Sequence, residues 1–150
     1  MEIRLLNSDD EKTVQQLLEL SARWEKEGNC YGYRTNTAKD LEGRTIFGAY
    51  VKGKLVGYLL CKGEEQQQSN DIIPAGTCYL EIEELYVSRY YRNRGIGREL
   101  FATREKFAKL RDIEYVFLTT ANRNAERILN FYHKGNGMKT HYTRLFKKIG

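Results

Sequence analysis

The chain has 150 residues, 41% of them hydrophobic and 30% charged, with a formal net charge of +5 at pH 7. That length suits one domain with a sizeable core, and the balance of apolar and charged residues excludes a disordered polyelectrolyte. No apolar run approaches the ~20 residues of a membrane helix, and MEIRLLNSDDEK is acidic where a secretory leader would be apolar, so a cytoplasmic protein is expected.

Glu2 to Leu6 is β-prone, and Asn7, Ser8 and Asp9 are capping residues ahead of a helical pattern. From Glu11 to Lys26, Val14, Leu17, Leu18, Ala22 and Trp24 recur mostly at steps of three and four, which predicts an amphipathic helix closed by Gly28. Asn29 to Gly43 is a polar, aromatic-dotted connection with room for a short helix. Thr45 to Val51 and Lys54 to Lys62 read as two strands joined around Gly53. Gly63 to Thr77, with three consecutive glutamines and the only proline, predicts a sheet-edge loop whose length suggests mobility or a role over the site.

The next stretch, Tyr79 to Leu100 (YLEIEELYVSRYYRNRGIGREL), organises the chain. Strict alternation along Cys78 to Val87 puts Glu81, Glu83, Leu85 and Val87 on one face and Leu80, Ile82, Glu84 and Tyr86 on the other. Two carboxylates on one face of an apolar strand are costly unless that face opens to a wet cleft or supplies partners. The strand leads into Gly95 and Gly97 and then a helix start. Unpaired amides and the positive end of the dipole make such a junction an anion cradle, and glycine lets an oxygen approach closely. Arg89, Arg92, Arg94, Arg98 and Arg104 crowd it, which fits a multiply phosphorylated ligand.

Leu100, Phe101, Phe107, Ala108 and Leu110 give the following helix one apolar face, and Tyr115 to Thr119 reads as a buried strand. Ala121 to Lys134 is predicted helical, ended by Gly135-Asn136-Gly137, and Met138 to Ile149 as closing strand structure. Mixed β and α segments around a strand-turn-helix predict an α/β sandwich. Cys30, Cys61 and Cys78 are odd in number, widely spaced and without a C-x-x-C, and His133 and His141 add no metal-ligand pattern. Neither a disulfide nor a metal is expected.

The segment Arg92-Asn93-Arg94-Gly95-Ile96-Gly97, read as R-x-x-G-x-G after a strand ending Glu-Glu-Leu-Tyr-Val, resembles the central motif of the GNAT superfamily of acetyl-CoA-dependent N-acetyltransferases. The resemblance implies one domain over residues 1–150, a three-layer sandwich with a mixed, mostly antiparallel sheet flanked by helices. It implies acetyl transfer from acetyl-CoA to a primary amine of a small molecule, a polyamine or drug-like amine, with a protein or peptide amine as the variant. The pyrophosphate would lie on the amides of Arg92, Asn93, Arg94, Gly95, Ile96, Gly97 and Arg98. The pantetheine arm would lie along Leu85, Tyr86 and Val87, with the Val87 amide donating to the thioester oxygen.

Glu83 then matches the general base of polyamine-type members and Glu81 that of histone-type members. Tyr132 matches the family's general acid, although its spacing to Gly137 is one residue longer than usual and Met138 replaces an aromatic. Asn122 and Asn124 both fall near the family's upstream asparagine. Tyr31, Tyr33 and Arg34 lie in the link that forms an acceptor wall in this fold. Several family members form homodimers. The other class open to this sequence is a non-catalytic coenzyme A or nucleic-acid binding module, against which stands the lack of a recognisable nucleic-acid motif.

Overall fold

A computed structural model describes residues 1–150. Five strands, β1 (Glu2–Leu5), β2 (Thr45–Val51), β3 (Lys54–Glu65), β4 (Cys78–Val87) and β5 (Tyr115–Leu118), form one sheet in chain order. All neighbours pair antiparallel except β4 and β5, which are parallel. Helix α1 (Glu11–Glu27) covers one face, and α2 (Ile96–Lys109) and α3 (Ala125–Asn130) the other. This is the expected three-layer α/β sandwich with a mixed, mostly antiparallel sheet.

Each layer follows from local chemistry. The Asp10 carboxylate accepts the Thr13 amide at 3.0 Å and starts α1, and Gly28 closes it. Leu17 and Leu20 then bury against Tyr50, Leu55, Tyr58, Leu60 and Tyr86. On the opposite face Leu100 and Phe101 of α2 meet Phe47, Ala49, Val56, Leu59 and Ile82. Each such aliphatic side chain contributes about 1.5–3 kcal/mol by leaving water.

Some expectations need correction. Strand β3 runs on to Glu65 because Gly63, Glu64 and Glu65 keep pairing with Leu80, Tyr79 and Cys78. The remaining loop lies at the end of β4 opposite the glycine turn, so it does not cover the site. Its own bonds tie it down: Gln66 N donates to Thr77 O at 2.9 Å, and the Asn70 side chain accepts from Ile72 and Ile73. Leu110 is 83% exposed at the end of α2, while Arg104 occupies the buried face at 1% exposure. Arg104 therefore leaves the expected anion-facing cluster. Its guanidinium sits 4.2 Å from the Phe101 ring centroid, with Nε and one terminal nitrogen making no hydrogen bond and the latter 3.9 Å from the Glu105 carboxylate.

The C-terminal segment also departs. Met138 packs against the core, but residues 139–150 join no ladder, and Leu145, Phe146 and Ile149 are exposed. Apolar Leu145 and Phe146 are consecutive and would fall on opposite faces of a strand, and Lys139, Arg144, Lys147 and Lys148 add charge. With no strand on its other side, β5 is a half-buried edge strand, not the fully buried one predicted. Residues 121–124 are not helical either.

Candidate active site

The register between β3 and β4 carries the site. Leu60 faces Glu84 and Cys61 faces Ile82, so Glu83 is an extra residue in a β-bulge. A bulge sets two residues against one and reverses the alternation that follows. Ile82 therefore packs with Leu85 and Val87 toward α2, while Tyr86 packs toward α1 with Tyr58. Glu84, bonded to Tyr58, lies on the α1 side, and so does Glu83, held by Arg44 two residues before the α1-facing Ile46. The predicted separation of Glu83 from Glu84 onto opposite faces is thus corrected.

The bulge also ends the pairing of β4 with β5, whose last partners are Ile82 and Leu118. Beyond them the strands part around a cavity of about 280 Å³, lined by Ile82 to Leu85, by Leu118 to Asn122, and by Trp24, Cys30 to Tyr33, Ile128 and Tyr132. Ser88 N donates to Val56 O at 2.7 Å. Because ladder amides alternate in direction, those of Tyr86 and Glu84 turn to β3, and those of Val87 and Leu85 turn into the gap.

The carboxylates differ in company. Glu83 is ion-paired with Arg44 and lies 3.9 Å from the Lys62 ammonium. Glu84 accepts the hydroxyls of Tyr33 at 2.6 Å and Tyr58 at 2.9 Å and the Asn36 amide at 2.7 Å. Burial, reinforced by the bond to Glu84, raises the Tyr33 pKa, so this phenol stays a donor. Glu81 sits opposite Lys62 and Phe117, where β4 is paired on both sides, and does not line the cavity. Burial raises its pKa, with Lys62 opposing.

Tyr33 stacks on Trp24 at 4.1 Å between ring centroids. Tyr31 lies under the Arg123 guanidinium, and its amide donates to Ala121 O at 2.9 Å, while Arg123 N donates to Asn29 O at 2.8 Å. The exit of α1 is thereby strapped to the segment after β5. Arg34 is exposed outside the cavity and donates to Tyr33 O. Asn122 lines the cavity and accepts the Asn124 amide, whereas Asn124 caps α3 through Arg127 N at 3.2 Å.

Helix α3 widens into a π turn over Phe131–Gly135. A π turn takes in one residue more than an α turn, and that is how the longer spacing from Tyr132 to Gly137 is absorbed while Met138 still reaches the core, its amide donating to Tyr132 O at 2.9 Å. Tyr132 is 7% exposed and lines the cavity. Burial, with the Cys30 thiol adding, pushes its pKa up to about 12, so the phenol carries its proton at neutral pH. Cys30, Trp24, Asn36, Tyr58 and Glu84 are cavity or network residues that the sequence reading did not single out. Trp24 alone had a signal there, as an aromatic at the end of the α1 stripe.

At the other end of the gap, a 3₁₀ turn over Arg89–Tyr91 leads to Asn93 (φ 61) and Gly95 (φ 79), both left-handed, and α2 starts at Ile96. The first intrahelical bond of α2 is Glu99 N to Gly95 O at 3.0 Å, so the amides of Ile96, Gly97 and Arg98 have no helical partner. A Cβ on Gly95 would meet nothing within 4 Å, which leaves the approach open. These amides, with exposed Arg94 and Arg98, fit a diphosphate. Gly97 has another role: the sequence reading put a side chain there in the phosphate's place, but a Cβ at Gly97 would lie 3.3 Å from the Phe131 ring, so its side-chain direction points to α3. The Arg92 guanidinium is also used internally, donating to Val87 O at 2.8 Å and to Glu27 at 2.6 Å.

A model of the Acetyltransferase (GNAT) family matches residues 12–138. Among solved structures, the aminoglycoside acetyltransferase meta-AAC0020 from an uncultured soil metagenomic sample superposes with a TM-score of 0.72 at 20% identity, over 99% of this chain and 96% of that one. A ribosomal-protein-alanine N-acetyltransferase from Brucella melitensis biovar Abortus 2308 gives 0.71 at 18% identity, over 99% and 100%. Aminoglycoside N-acetyltransferase AAC(6')-Iy, solved in complex with CoA, gives 0.69 at 14% identity, over 99% of both chains.

Proposed function

The chain belongs to the acetyltransferase (GNAT) family, and from that footing we propose that it transfers the acetyl group of acetyl-CoA to a primary amine of a small molecule, a polyamine or drug-like amine, by direct attack in a ternary complex. The observation that carries this reading is the gap between β4 and β5, with open helix-start amides at one end and carboxylates and a protonated tyrosine within it. Neighbours whose names include aminoglycoside acetyltransferases support a small acceptor, and the cavity of about 280 Å³ beside the strap from Asn29 to Tyr31 suits one.

The chain's residues divide the work. An alkyl amine with a pKa near ~10.4 is neutral in only about one molecule per thousand at pH 7. Glu83 takes the proton the amine must lose, a role worth ~10²–10⁴-fold. The Val87 amide, turned into the gap, donates where negative charge grows on the carbonyl oxygen. As the new N–C bond forms and the C–S bond breaks, Tyr132 gives its proton to the departing sulfur. The amides from Ile96 to Arg98, with Arg94 and Arg98, hold the diphosphate that aims the acyl group.

An acetyl-CoA-dependent thiol-release assay over alkyl amines, polyamines, aminoglycosides and peptides tests the proposal. Turnover is expected with small amines. Transfer to peptides alone would replace the acceptor class, and no thiol release with any amine would remove the reaction.

A further inference from the structure

Of the part-buried carboxylates Glu27, at the end of α1, and Glu83 and Glu84, which line the cavity, two have an arginine. Glu27 takes Arg92 at 2.6 Å, and Glu83 takes Arg44. Glu84 takes none: its partners are two phenols and a carboxamide, and no lysine, arginine or histidine nitrogen lies within ion-pair distance. In a chain with 25 lysines and arginines, this half-buried carboxylate is held by hydrogen bonds from neutral groups alone, and a cation would offset its charge further.

The surroundings suit a cation brought from outside. Oε1 of Glu84 is filled by Tyr33, Tyr58 and Asn36, but Oε2 accepts only the Asn36 amide, at 2.7 Å. A carboxylate oxygen has two acceptor positions, so Oε2 keeps one. Tyr33, stacked on Trp24, lines the same cavity, as Trp24 does, although Trp24 also stacks on Tyr86, and an aromatic face left open beside a carboxylate adds attraction for an ammonium group. Tyr33 is itself fixed by Ser21 at 2.6 Å, so the carboxylate is held in place by residues of α1, of its exit loop and of β3.

The geometry points to Glu84 as the anchor for a protonated nitrogen of the acceptor other than the one acetylated, which makes the acceptor a diamine or longer polyamine. The inference rests on the acetyl-transfer reading above. The attacked nitrogen gives up its proton before it bonds to carbon and brings no charge at that moment. A second alkyl nitrogen keeps its proton at neutral pH. Glu83 serves the first nitrogen and Glu84 the second, and the bulge that turns both toward α1 allows the division.

The test is calorimetric titration of the full chain, saturated with CoA, with 1,4-diaminobutane and with butylamine. Wild type should bind the diamine about ten- to a hundredfold more tightly, the range of one hydrogen-bonded charge. Glu84→Gln should remove most of that preference while CoA affinity, which also reports folding, stays unchanged. Glu83→Gln should keep it. Equal affinity for the two amines in wild type, a preference that survives E84Q, or its loss in E83Q overturns the assignment. Because CoA carries no acetyl group, binding is read without turnover. A diamine preference in a protein that acetylates nothing would leave Glu84 standing and remove the reaction, and acetylation without the preference would do the reverse.

Discussion

Arg92 and Glu27 are joined by a 2.6 Å ion pair across 65 positions of chain. The same Glu27 accepts the Tyr86 hydroxyl at 2.8 Å, and the same Arg92 donates to the Val87 carbonyl. The end of α1, the end of β4 and the glycine turn thus meet at one joint. The first motif arginine works from beneath the turn, holding its shape.

Glu27→Gln keeps the side chain's outline and removes its charge. It should lower unfolding free energy by about 1.5–3 kcal/mol, the range for hydrogen bonds to charged groups, as read by urea denaturation. Acetyl-CoA should bind severalfold more weakly because the turn loses its tether. Unchanged stability together with unchanged affinity would show that the joint carries nothing.

The two motif glycines should respond differently. Gly95→Ala forces a side chain into a left-handed conformation, at about 1–2 kcal/mol, and loss of cofactor affinity should follow. Gly97→Leu instead pushes on Phe131, beside Tyr132, so turnover should fall more than affinity. Partial recovery of turnover in Gly97→Leu/Phe131→Ala checks the packing explanation; no recovery rejects it.

Glu83→Gln and Tyr132→Phe should each reduce kcat, by up to ~10²–10⁴-fold, with acetyl-CoA affinity nearly unchanged. Single-turnover rates and equilibrium binding separate the two effects. Wild-type rates in both variants with a good acceptor would reject the roles assigned here.

The pH behaviour follows from Tyr132. Its pKa is raised by burial to about 12, against about 10 for an unfolded tyrosine. A raised pKa means that the stability contributed by the protonated phenol is fully present below about pH 10 and is lost as pH rises through about 12. Wild type should therefore lose stability over that window relative to Tyr132→Phe. The rate should climb toward the pKa of the amine, with no alkaline fall from this group before about pH 12. Parallel pH–rate and pH–denaturation series on the two proteins test both statements.

Arg104 is a charge in the core with two nitrogens that make no hydrogen bond, and burial lowers its pKa, opposed by Glu105 at 3.9 Å. Arg104→Met keeps most of the volume and removes the desolvation cost. Replacing buried charge by an apolar side chain commonly stabilises by about 1–4 kcal/mol. A gain in urea midpoint is expected, and a loss would show that the half-exposed Glu105 compensates the buried charge.

The elements were largely legible in the chain because their causes are local. A period of three to four marked α1, two strand runs joined around Gly53 marked β2 and β3, alternation marked β4, and Gly95 marked the start of α2 within a residue. The strand-glycine-helix junction also brought out the family and pointed to an anion cradle, since helix-start amides and the dipole are set by a few consecutive residues.

What the chain could not reveal by itself was which carboxylates share a face. That depends on one extra residue at Glu83, placed by pairing with β3 and by burial on both faces of the sheet, and a slip of one residue turns every later side chain over. The same event parts β4 from β5 and creates the cavity. Likewise, the roles of Arg92, Gly97 and Arg104 were set by Glu27, Phe131 and Phe101, and in two of these cases the partner is distant in sequence. Local periodicity decides that a strand exists; only the balance of burial between two packed faces decides where it bulges, and therefore which acids meet the substrate.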